Sequence, residues 1–176
     1  MIKVKEGDIR RLGLLFEKYN LQLYRFFYRM TRNKESSEDL VQNVFYRIMK
    51  YRKQFKGNGK FVVWMYSIAR NELSDFYRIK KKITYDEFAV EDNIVNHSKD
   101  FLENKIDEEN LHQLNHALDR MNEDKKQLIV LHEFQALRFR EIGEILGISE
   151  VNARVKYFRA LQELKENFKI IESIPA

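Results

Sequence analysis

Apolar residues recur at the three-to-four spacing of an α-helix along most of this chain. Leu12, Leu15, Phe16, Tyr19, Leu23, Phe26, Phe27 and Met30 mark a first stripe, with Asp8 as a candidate N-cap. A second helix is predicted from about Ser36, where Ser36-x-x-Asp39 resembles a capping box with Asp in place of the usual Glu. Its apolar side is Leu40, Val41, Val44, Phe45, Ile48 and Met49. A third follows Gly57 and Gly59, burying Met65, Ile68, Ala69 and Phe76. On this helix Trp64, Asn71 and Arg78 are seven residues apart, close to two turns, so they fall along one side.

The pattern fades from Thr84 to about Asp107 and resumes in a helical region marked by Ile106, Leu111, Leu114, Leu118 and Met121, then Leu128, Ile129, Leu131, His132 and Phe134. A short helix from Arg138 then runs into Gly147, which suits a left-handed helix end, and Ser149 can cap the next helix. Small Gly143 permits a close crossing. This is the layout of a helix-turn-helix. The last helix, about Glu150 to Phe168, turns Ala153, Tyr157, Ala160, Leu161, Leu164 and Phe168 inward. Val151, Asn152, Arg154, Val155, Lys156, Phe158 and Arg159 are left outside.

Composition sharpens this into an all-α expectation. The single proline, Pro175, lies near the end, there are six glycines in 176 residues, and Leu, Glu, Lys, Arg and Gln abound. Hydrophobic content of 44% suffices for helical cores, and the absence of cysteine excludes a disulfide framework or a thiolate metal site. No run of eighteen apolar residues and no secretory signal is visible, so no membrane insertion and a cytoplasmic location are expected.

Charge is distributed more tellingly than its total of +5. Phe45–Lys82 holds eleven Lys and Arg against two acids, with nine aromatic residues; Thr84–Asn110 holds nine acids against two bases. The reversal marks a boundary, giving an expected first domain over 1–83, an acidic linker over 84–107 and a second domain over 108–176. Cations for phosphates together with rings for unstacked bases suit single-stranded nucleic acid. A bland account, in which those rings are simply core, stands beside it. On the last helix, outward Val155 and Phe158 are odd for a solvated face; beside Arg and Asn they suit the major groove.

These residues together resemble an extracytoplasmic-function sigma factor, the two-domain class of bacterial transcription initiation factor. Glu38–Phe45 is similar to that family's core-polymerase-binding helix. Trp64-Met65, Ile68-Ala69-Arg70-Asn71, Asp75 and Arg78 resemble its W-L/M, I-A-x-N and D-x-x-R pattern in order and spacing. The resemblance implies that Asp39, Gln42 and Asn43 face core RNA polymerase. It implies that the loop Phe55, Lys56, Gly57, Asn58, Gly59, Lys60 and Phe61 receives a flipped base of the downstream promoter element, with Trp64 and Asn71 beside it. Asn152, Arg154, Val155, Lys156, Phe158 and Arg159 would face promoter DNA at the upstream element. An anti-sigma factor is implied as a further partner. The chain departs from the family at Asn152, Ala153, Val155 and Met121-Asn122, so the family's usual upstream sequence does not transfer.

Two other classes compete. An autonomous helix-turn-helix regulator would account for the second half but not for the aromatic loop or the Asp39/Gln42 surface. An enzyme would need a site, and the best candidate is Glu108-x3-His112-x3-His116, three possible metal ligands on one helical stripe. No full ligand set, phosphate-cradling loop, activated serine or paired catalytic carboxylates accompany it. The expectation is a non-enzymatic initiation factor with neither metal nor cofactor.

Overall fold

The computed structural model describes residues 1–57, 60–86 and 108–172. Most of the expected linker, Ile106, and the loop residues Asn58 and Gly59 lie outside them. Among the described residues every regular element is helical, and the contacts gather into two compact units. One holds the described residues up to Asp86 and the other most of those from Glu108 on.

In the first unit, the short α1 (Ile2–Lys5) precedes α2 (Arg10–Thr31), α3 (Lys34–Lys50), a 3-10 turn (Arg52–Gln54) and α4 (Phe61–Asp86). Helix α3 packs against both α2 and α4. Leu23, Phe26, Phe27 and Met30 meet Leu40, Val44, Phe45 and Ile48 with Met65, Tyr66, Ala69 and Leu73 in a buried core. Tyr66 is edge-on to Phe26 at 5.4 Å, and the Tyr77 hydroxyl donates to the Met30 carbonyl at 2.8 Å, tying α4 to the end of α2. The stripe expected on α2 is only half inward. Its second half is buried, but Phe16 is exposed. Helix α4 continues to Asp86, three residues into the stretch expected as linker.

Both expected caps in this unit are displaced. Helix α2 has Ile9 at its N-cap with no side-chain bond, because the Asp8 carboxylate accepts from the Arg11 guanidinium instead, at 2.8 Å. Helix α3 starts before Ser36: Asn33 caps it, its side chain accepting from the Ser36 amide at 2.8 Å. The neighbouring Ser37 is buried and donates to the Asn33 carbonyl at 2.6 Å, so its hydroxyl is satisfied inside the turn.

The second unit contains α5 (Glu108–Asp119), α6 (Glu123–Ile129) running into a π-helical turn (Val130–Phe134), most of α7 (Phe139–Leu146) and α8 (Glu150–Glu172). Asn122 caps α6 through its side chain, accepting from the Asp124 amide at 2.9 Å. Ala117, Leu118 and Met121 pack with Ile129 against Tyr157, Ala160 and Leu164 of α8. Leu114, Phe134, Leu161 and Phe168 close the edges of this cluster.

Candidate nucleic-acid and protein interfaces

Three surfaces carry the side chains singled out from the sequence. The first is the outer face of α3. Because Leu40, Val41, Val44, Phe45 and Ile48 all bury, residues 39, 42, 43 and 46 are turned to solvent on the remaining side. Asp39, Gln42 and Asn43 are exposed there, joined by Tyr46 at 56% exposure. Tyr46 was not singled out from the sequence, yet its position seven residues after Asp39 and off the apolar stripe was the available signal.

The second surface lies where α3, the 3-10 turn and α4 meet. Phe55, just after the turn, is buried at 5% exposure. Its ring stands 5.4 Å from Trp64 and 6.3 Å from Phe61, and those two rings are 6.3 Å apart. Phe61 also packs on Tyr19 of α2 at 5.3 Å. Gly57 has φ +80°, a left-handed conformation that L side chains rarely adopt, and Lys56 and Lys60 are exposed on either side of it. Phe55 therefore backs the group, while half-buried Phe61 and Trp64 and the exposed lysines reach the surface.

Beside this group an open cleft of about 260 Å³ is walled by Trp64, Ser67, Ile68 and Asn71 from α4. Arg47, Tyr51 and Gln54 face them. Arg47 forms an ion pair with Glu72 and approaches Asp75 at 3.5 Å, and Asp75 is held in turn by Arg78 at 2.8 Å. Burial raises the Glu72 pKa, against the pull of Arg47 in the other direction. This charge network fixes the α3–α4 wall on which the cleft depends. Sequence reasoning found Trp64 and Asn71 here but missed Arg47, Tyr51 and Gln54, which only the packing of α3 on α4 brings opposite them.

The third surface is α8. Gly147 has φ +69°, the Ser149 hydroxyl accepts from the Asn152 amide at 3.2 Å, and the Ile148 amide donates to the Gly143 carbonyl at 2.9 Å. A Cβ on Gly143 would lie 2.8 Å from the Ile148 carbonyl oxygen, so only glycine fits the turn as built. With Ala153, Tyr157 and Ala160 buried, Val151, Val155 and Phe158 stand out at 70%, 44% and 57% exposure. Asn152, Arg154, Lys156 and Arg159 are exposed among them. Arg154 donates to Glu150 at 3.2 Å and lies over the Phe139 ring at 5.4 Å.

The histidine stripe is a different matter. His112 and His116 are exposed neighbours with ring centroids 4.5 Å apart, and the Glu108 side chain lies outside what is described. Among the described residues no three ligating side chains converge on a metal position, and no helix is long and apolar enough to cross a membrane.

Residues 15–83 match the family model of Sigma-70 region 2, and residues 111–164 that of Sigma-70, region 4. The RNA polymerase sigma factor YlaC of Bacillus subtilis is 27% identical over 87% of this chain and 89% of its own length. The ECF RNA polymerase sigma factor SigX of the same organism is 26% identical over 90% and 84%. Among solved structures, the sigma factor RpoE in complex with the anti-sigma factor NepR from Bartonella quintana shares the fold. Its TM-score is 0.74 at 18% identity, over 90% of this chain and 96% of that one. Both halves of the molecule are thus those of a sigma-70-type transcription initiation factor. The chain belongs to the extracytoplasmic-function family and is an RNA polymerase sigma factor.

Proposed function

We propose that the three surfaces divide the work of initiation. The α3 face of Asp39, Gln42, Asn43 and Tyr46 binds core RNA polymerase. Phe61, Trp64 and the lysine-flanked loop take up an unstacked base of the downstream promoter element, with the adjoining cleft and Asn71 at its edge. Asn152, Arg154, Val155, Lys156, Phe158 and Arg159 read the upstream element in the major groove. The factor acts in the cytoplasm and catalyses no reaction of its own. An anti-sigma protein is its regulatory partner, a reading supported by the related fold of a sigma factor solved with one. The domain limit at 83 follows from the charge reversal in the sequence and that at 108 from the return of the helical stripe, with matches to region 2 ending at 83 and to region 4 beginning at 111.

The observation that carries this reading is the α3 face. A tyrosine at 56% exposure beside three polar side chains adds nothing to a core that the opposite face already fills, and tyrosines so placed are frequent anchors of protein interfaces. Asp39→Arg and Gln42→Ala, each assayed for affinity to purified core polymerase, are expected to weaken binding about tenfold or more with the melting temperature unchanged. Unaltered affinity in both variants removes the α3 face from the interface.

A further inference from the structure

The Arg154 side chain is held in a way that its position on an exposed helix face does not require. Its guanidinium meets Glu150, one turn earlier on α8, at 3.2 Å, and covers the ring of Phe139 from α7 at 5.4 Å. Phe139 is itself anchored: His132 stacks on it at 4.4 Å, and Tyr157 packs against it at 5.2 Å. A long arginine on a solvated surface normally keeps its rotamer freedom and loses it on binding. Here an acid engages a nitrogen of the fork while an aromatic ring lies beneath its central carbon. The guanidinium has five donors, so one bond to Glu150 leaves donors for a two-point contact.

We infer that Glu150 and Phe139 are positioning residues. They pre-set the Arg154 fork at the start of the recognition helix to make a bidentate contact with one base, the O6 and N7 of guanine being the acceptor pair such a fork fits. This rests on the proposed reading of the upstream element by α8. It also gives Glu150 a reason to stand on a face meant for phosphate-rich DNA, where an acid otherwise repels. The plainer role of Glu150, an acid in the first turn that complements the helix dipole, involves no particular base.

The test uses the full chain with core polymerase on a library of upstream elements at one salt concentration. Arg154→Ala is expected to lower preference at a single base pair about tenfold to a hundredfold. Glu150→Ala and Phe139→Leu are each expected to lower preference at that same base pair several-fold. Phe139→Tyr, which keeps an aromatic face beneath the guanidinium, should retain it. In an Arg154→Ala background, neither Glu150→Ala nor Phe139→Leu should reduce the preference further. If Arg154→Ala abolishes the preference while the other two leave it intact, the clamp is wrong and the α8 reading stands. A Phe139→Leu loss spread evenly over all sequences, with Glu150→Ala silent, likewise reduces the pair to structure. No change of preference in Arg154→Ala overturns the clamp and removes Arg154 from the α8 reading, which the other five residues would then carry.

Discussion

Tyr157 serves the core of the second unit and its recognition helix at once. Its ring is buried at 6% exposure beneath α8, against His132 and Phe139, while its hydroxyl donates to the Glu133 carboxylate. Burial first, then that hydrogen bond and the carboxylate's charge, push the phenol from its ordinary 10.0 up to about 12. A raised folded pKa means that the folded chain holds the proton more tightly. The corresponding stability is complete below pH 10 and is lost as pH rises through about 12. Tyr157→Phe is expected to cost about 1 kcal/mol at neutral pH, the usual net value of such a bond. It should also flatten the fall in stability across that alkaline window. Urea unfolding at a series of pH values reads both; an unchanged alkaline slope would assign the loss there to other groups. At this scale the sequence was only partly informative. It named Phe55 as a loop contact, whereas the fold buries it behind Trp64, because two aromatic residues flanking a loop can be told apart only by what packs behind each.

Among the helices, glycine provides the sharpest contrast. Gly143 and Gly13 both lie inside helices, α7 and α2, and by propensity alone alanine would favour each. Gly13 has nothing within 4 Å of an added Cβ, so Gly13→Ala is expected to stabilise by about 0.4–1 kcal/mol. At Gly143 the same carbon would meet backbone at 2.8 Å, and backbone cannot swing aside as a side-chain tip can. Gly143→Ala should therefore destabilise by about 1–3 kcal/mol, the usual cost of overpacking, and weaken upstream-element binding by disturbing the turn. Denaturant midpoints of opposite sign for the two variants are the expected result; a stabilising Gly143→Ala would show that the turn relaxes freely. Helix existence was legible here because the 3.6-residue stripe is repeated many times. Helix starts were not, since several Asx and Ser residues near one start are equivalent caps in sequence. Asn33 prevails over Ser36 because Ser37 is buried and its hydroxyl bonds back to the Asn33 carbonyl, which places the first turn three residues earlier. The break at Asn122 and the π-helical turn over Val130–Phe134 interrupt a stripe that reads as nearly continuous.

For the whole molecule, the most legible feature was the order of chemistries. A basic, aromatic stretch precedes an acidic one and then a helix-turn-helix, and the matches to regions 2 and 4 follow that order. Less legible was what faces what across space: Arg47 and Gln54 opposite Trp64, or Phe139 beneath Arg154, depend on how helices cross. The division of labour predicts that damage to the two units fails at different steps. Unstacking a base costs a few kcal/mol, and stacking with edge hydrogen bonds can offset it, so the Trp64 region should matter when strands separate rather than when duplex is first engaged. Trp64→Ala combined with Lys56→Ala and Lys60→Ala should leave upstream-element binding by the polymerase complex within a factor of two. The same combination should lower permanganate reactivity of unpaired thymines in the downstream element at least several-fold. Arg154→Ala should do the reverse, weakening complex formation while the complexes that do form open normally. Trp64→Phe, which keeps a stacking face and most of the packing on Phe55, is expected to restore much of the reactivity and so separates base capture from simple loss of fold. Wild-type permanganate reactivity in the triple variant would mean that the base is captured elsewhere, and that Trp64 serves only to cover Phe55.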